Sequence, residues 1–156
     1  MSALTSKEFV LDTMRKYGKA TAEALQLKAP EMTGTELYDE YGYIPSYYAA
    51  LAKCNMLERK AGFICRSPKG RVVGLIQPYD SDIYTQEPED LTAQWRFIWS
   101  KNPKHALLFV SIATSPYNTD ECCIGSDGVT YASTIDTNTW DPVLVPQYWR
   151  VAAVNE

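Results

Sequence analysis

Two stretches of this sequence lie on each other at a fixed offset. Phe63-Ile64-Cys65 runs into Arg66-Ser67-Pro68-Lys69-Gly70 and then Arg71-Val72-Val73, while Glu121-Cys122-Cys123 runs into Ile124-Gly125-Ser126-Asp127-Gly128 and then Val129-Thr130-Tyr131. Cys65 matches Cys123 and Gly70 matches Gly128, both 58 residues apart, and the match continues through Gln77–Ser81 against Ile135–Thr139. After a four-residue excess in the first stretch the register resumes at 54, pairing Pro88 with Pro142 and Trp95 with Trp149. Self-similarity of this kind predicts two similar folding units, and it constrains the fold more than any single residue does.

Each unit reads as strand, glycine-ended turn, strand, polar loop, proline, six residues, tryptophan, strand. Ser67–Gly70 and Ser126–Gly128 carry residues that reverse a chain, so each pair of flanking runs predicts a hairpin. Arg96-Phe97-Ile98 and Arg150-Val151-Ala152 supply a third strand. A unit of about 40 residues scarcely offsets its chain entropy with its own core. The units are therefore expected to pack on each other or on helices, with Trp95, Trp149, Pro88 and Pro142 as structural core.

The N-terminal third predicts helices. Thr5-Ser6-Lys7-Glu8 has the form of a capping box, and Val10, Met14, Tyr17, Thr21 and Ala24 follow at spacings of four and three up to about Leu27, with Pro30 as the stop. The stripe is narrow and Gly18 interrupts it. Two roles stay open for it, a helix laid against the rest of the chain and a short oligomerisation helix. A second capping signal, Thr33-x-x-Glu36, opens a short helix, followed by a turn at Pro45 and helix again through Ala49 to Lys53. The expected architecture is α+β: a helical segment over 1–55, a three-stranded β module over 56–98, a linking segment over 99–114 and a second such module over 115–156. The apolar run Ala106–Ile112 suits a buried strand between the modules, which would leave Trp99 and Tyr117 near the edges.

Composition removes several function classes. The chain has 156 residues, a net charge of −4 and no cluster of lysine and arginine, so nucleic acid is not an expected partner. No run of eighteen apolar residues occurs and the N-terminus lacks the pattern of a secretory signal, so neither a membrane span nor classical export is expected. Cys54, Cys65, Cys122 and Cys123 include no C-x-x-C pair, and the lone His105 completes no ligand pattern, so the thiols are expected to be buried and free, with no metal and no cofactor.

Tyr131-x-Ser133-x-Ile135-Asp136-x-Asn138-x-Trp140-x-Pro142, followed by Pro146-x-x-Trp149, resembles the C-terminal repeat of small tail-associated proteins of phages and prophages of Firmicutes. Gly62–Trp95 resembles its companion repeat, and the general pattern is similar to chitin-binding type 3 carbohydrate-binding modules. With the chain between and after them, the two blocks span 62–156, about three-fifths of the sequence. The resemblance implies a virion surface protein, in a tail, fibre or decoration position, with other virion proteins as partners, a homo-oligomeric state and host cell-wall glycan as a further partner. The pair of adjacent tryptophans displayed by chitin-binding modules is absent, Leu75-Ile76 and Ser133-Thr134 standing in its place.

A pyranose offers an apolar C–H face to an aromatic ring, and its hydroxyls need short polar side chains nearby. Trp140 with Asp136 and Asn138, and Tyr79 with Asp80 and Tyr84, are the candidate glycan-binding groups. The alternative is that Trp140 packs on Pro142 while Asp136 and Asn138 cap their own loop amides. Asp80, Asp82, Glu87, Glu89 and Asp90 could in principle furnish a glycosidase pair, but such a run reads as a solvated surface, and no nucleophile elbow or phosphate loop occurs. A non-enzymatic protein is expected. Adhesion to glycan and a purely structural virion role both stay open, with a secreted chitin binder as a third reading.

Overall fold

The computed structural model describes residues 6–153 and is mixed α+β, with an N-terminal helix and two small sheets. Helix α1 spans Ser6–Lys28 and tightens into a 3-10 turn at Ala29–Glu31, where Pro30 has no N–H with which to extend an α-helix. Thr5 of the first capping signal lies outside the described residues. Gly18 does not interrupt α1; no atom lies within 4 Å of the position a β-carbon would take, and a single glycine costs only about 1 kcal/mol against alanine.

Only the C-terminal end of α1 is anchored. Leu25 is buried, and the Gln26 amide mimics a neighbouring strand by donating Nε2–H to Ile64 O at 2.8 Å while its Oε1 accepts from Ile64 N at 3.0 Å. Phe9, Val10, Met14 and Tyr17 are exposed, Met14 to 63%. The helix lies against the rest of the chain at its C-terminal end, while the N-terminal part of its apolar stripe is exposed.

Helix α2, Gly34–Asp39, starts at a complete capping box, in which Glu36 N donates to Thr33 Oγ1 and Thr33 N donates to Glu36 Oε1. Glycine is required at its first position, since a β-carbon on Gly34 would lie 2.0 Å from Trp99 O. Helix α3, Tyr47–Lys53, is capped by Ser46, whose Oγ accepts from Ala49 N.

The first sheet is antiparallel and follows chain order, with β1 (Ile64–Arg66), β2 (Val72–Leu75) and β3 (Trp95–Phe97). Cys65 lies opposite Val73, and Leu75 opposite Trp95. The second sheet has four strands, β4 (Leu107–Leu108), β5 (Cys122–Ile124), β6 (Thr130–Ser133) and β7 (Trp149–Val151). There Cys123 lies opposite Tyr131, and Ser133 opposite Trp149. Both hairpins close on a glycine in the left-handed region, Gly70 at φ +86° donating to Ser67 O and Gly128 at φ +81° donating to Gly125 O.

The linking segment departs from expectation. Of the apolar run 106–112, only Leu107–Leu108 is a strand; it pairs in parallel with β5 at the edge of the second sheet, and Leu108 faces solvent. Trp99 and Tyr117 are not at the edges. They stack at 4.3 Å between ring centroids inside one apolar cluster that also holds Trp95 and Phe97 of the first sheet and Cys123 and Trp149 of the second. Neither sheet has sufficient apolar area of its own, so the two share one core. Cys65, Cys122 and Cys123 are buried, Cys54 is half-buried, and all four are free thiols.

Candidate functional site

The loop between β6 and β7 is organised around a buried amide. Asn138 has no exposed surface; its Nδ2 donates to Ser133 Oγ at 2.9 Å and to Tyr148 O at 3.2 Å, and its Oδ1 accepts from Trp140 N at 3.0 Å. Its main chain exchanges two further bonds with Tyr117. A side chain so fully engaged holds the loop and has nothing to offer a ligand. Asp136 is exposed, yet one carboxylate oxygen accepts from both Thr119 N and Thr119 Oγ1, and those bonds hold its carboxyl below the ordinary aspartate range.

Trp140 is the group this scaffold presents. Its ring is 51% exposed and leans against Tyr148 with centroids 6.0 Å apart, while its carbonyl accepts from Trp149 Nε1 at 2.8 Å. Val143 and Leu144 continue the surface, because Asp141 Oδ1 accepts from both of their amides and turns the chain outward. Pro142 is buried beneath. Trp140 therefore heads an apolar patch whose nearest carboxylates are already spent on backbone amides.

The corresponding loop of the first sheet is different. Tyr79 is buried, with its hydroxyl accepting from Trp95 Nε1 at 3.0 Å, so it is a packing residue. Asp80 Oδ1 accepts from Asn55 Nδ2 and from Asp82 N, tying the loop to the end of α3. Tyr84 is exposed beside Ile83. Of the six residues proposed for glycan contact, only Trp140 and Tyr84 present rings to solvent, and they sit in separate loops on different sheets.

Three acids of the 80–90 run are held by protein partners: Asp80 by Asn55, Glu87 by Tyr48 and Glu89 by Arg71. Glu89, read from sequence as solvated, is largely shielded: Arg71 Nη1 lies 3.3 Å from its Oε1, which also accepts from Ser67 Oγ at 2.5 Å. Arg71 Nη2 goes on to donate to Leu108 O, linking the first sheet to the edge of the second. A groove of about 240 Å³ beside Arg96 is lined by one carboxylate, Glu121, whose carboxyl is pushed up by burial. A glycosidase needs two carboxyls flanking one bond, roughly 5–9.5 Å apart. Among the described residues no group of three or more His, Cys, Asp and Glu side chains could hold a metal ion, and no helix is long and apolar enough to cross a membrane.

A second groove, of about 810 Å³, lies between α1 and α3. Lys19, Lys53, Arg59 and Arg66 reach it, and nothing in the local sequence marks it. Arg59 and Arg66 are seven residues apart, but the wall opposite them is built by α1, some forty positions away. No protein-family model, curated protein or solved structure matches the chain.

Proposed function

We propose that this chain is a non-enzymatic phage virion surface subunit, of tail, fibre or decoration type, built from two copies of one small β module and working through contacts made by exposed side chains. The supporting observation is the equivalence of the two sheets. Their strands pair in the same register, and the turn, loop and strand-end hydrogen bonds recur at the sequence offsets of 58 and 54: Ile76 N donates to Gln94 O as Thr134 N does to Tyr148 O, and Ile98 N to Val72 O as Ala152 N does to Thr130 O. The virion assignment itself rests on the likeness of Tyr131–Trp149 to the repeat of tail-associated proteins.

Within this reading the geometry favours protein contacts. The exposed surface is apolar at α1 and at Trp140 with Leu144, and the carboxylates and amide of the β6–β7 loop that would hold sugar hydroxyls are bonded within the protein. Extended apolar patches of this kind mark surfaces that become covered. Detection of the chain in purified particles of the phage that encodes it, at a copy number like that of other structural proteins, supports the assignment; its absence from particles overturns it.

Glycan adhesion is the second reading, carried by the Trp140 ring. Its test is pull-down on chitin and on peptidoglycan, with Trp140→Ala as control. Binding by the parent and not by the variant, at an unchanged melting temperature, supports adhesion. No binding by the parent removes it and leaves the structural role.

A further inference from the structure

We propose that the groove between α1 and α3 receives the acidic, apolar-tipped loop 80–90 of a second copy of this chain, giving a head-to-tail contact. The inference rests on the virion-subunit reading and names the partner. In a chain of net charge −4, this groove gathers Lys19, Lys53, Arg59 and Arg66 against the single acid Glu23. None of the four cations forms a salt bridge within the described residues.

The two guanidiniums are held in place before any partner arrives. Arg59 lies over the Phe63 ring at 4.3 Å and donates to Ala50 O; Arg66 lies over Tyr41 at 5.0 Å and donates to Ile44 O. Each keeps unused N–H groups, and Arg59 Nε is buried with no partner, a donor whose desolvation is uncompensated in the isolated chain. Tyr43, Ile44 and Phe63 add apolar lining. A ligand complementary to this surface carries carboxylates together with apolar side chains.

The 80–90 loop has that chemistry. Ile83 is 71% exposed with Tyr84 beside it, and Asp82 and Asp90 are exposed and form no salt bridge within the described residues. It does not line the groove of its own chain, being pinned elsewhere by Asn55 to Asp80, Met56 N to Ser81 Oγ and Tyr47 OH to Gln86 O. Groove and loop are different surfaces of one molecule, so their union is heterologous and propagates into rings or filaments.

The test is sedimentation velocity on the full chain over a concentration series, at low and high salt. The expected result is a mass above 17.6 kDa that rises with concentration and falls with salt. Lys53→Glu and Asp82→Lys, both surface changes, should each weaken association roughly tenfold or more, and the double variant and an equimolar mixture of the single variants should recover it. A monomer at all concentrations overturns the proposal, as does a double variant no better than the single ones. Association insensitive to both changes but abolished by Val10→Ser with Met14→Ser moves the contact to α1 and overturns the groove while leaving the subunit reading intact. Absence from particles would instead remove that reading and leave the contact standing.

Discussion

Gly62 and Asp120 hold equivalent places at the entry to the two sheets, with φ of +95° and +72°, and their amides donate to Leu75 O and Ser133 O respectively. One position uses the residue without a β-carbon and the other an aspartate, among the few side chains that enter the left-handed region readily. Gly62→Ala should therefore cost about 1–2 kcal/mol, by left-handed strain in a residue with a β-carbon. Asp120→Gly should lose little, since the Arg150 pair it removes is half exposed. Urea unfolding of the two variants beside the parent measures both.

Asn138 should prove a structural residue. Asn138→Ala leaves Trp140 N without its acceptor, a cost of about 1–3 kcal/mol, and takes one donor from Ser133 Oγ, which keeps its bonds to Ile135. Trp140→Ala, in contrast, removes a half-exposed ring and leaves the carbonyl that accepts from Trp149. The expected order in thermal unfolding is a large drop for the first and a small one for the second.

The Arg71–Glu89 pair tests how the two sheets are joined. Glu89→Ala leaves a buried guanidinium uncompensated and should cost about 3–5 kcal/mol, whereas Arg71→Met with Glu89→Leu should recover most of the loss. If the single variant behaves as a surface change, Glu89 is solvated in solution and the Arg71 bond to Leu108 O joins the sheets without it.

Acid should act through Asp136. Its carboxyl titrates below the ordinary aspartate value because the bonds from Thr119 favour the charged form. Folded below unfolded means that the stabilisation is present above about pH 3.9 and is lost as pH falls through the lower folded value. Asp136→Asn should therefore lower the urea midpoint at pH 7, and the difference from the parent should shrink below pH 4. A constant difference across that range would refute the assignment.

Thiol reactivity should separate the cysteines. Burial pushes Cys65 up to about 12 and raises Cys122 and Cys123, so their thiolates are scarce at pH 8. With a disulfide reagent in native buffer, Cys54, the half-buried one, should react first and the other three only on unfolding. A fast Cys65 would show that the first sheet opens, and a fast Cys122 or Cys123 that the second does.

Much of the local structure was legible in the sequence. The Thr33 and Glu36 spacing marked a cap, Gly70 and Gly128 marked hairpins that need a positive φ, and the β-branched runs beside them marked strands, because each of these signals arises from chain within a few residues. The stripe from Val10 to Ala24 marked α1 for the same reason. Whether that stripe is covered depends on where the body ends, and no residue of the helix records it. Asn138 and Tyr79 have the composition of ligands; their burial follows from Ser133, Tyr148 and Trp95, which reach them only when distant strands come together. Glu89 reads as a solvated acid until Arg71 closes on it, and the groove cations gather only when α1 is laid opposite Phe63. Periodicity and turn chemistry act over a few bonds and survive in one dimension. Burial, ion pairing and the facing of one surface by another are properties of three-dimensional neighbours, and in this chain they exist only once the strands and α1 have come together.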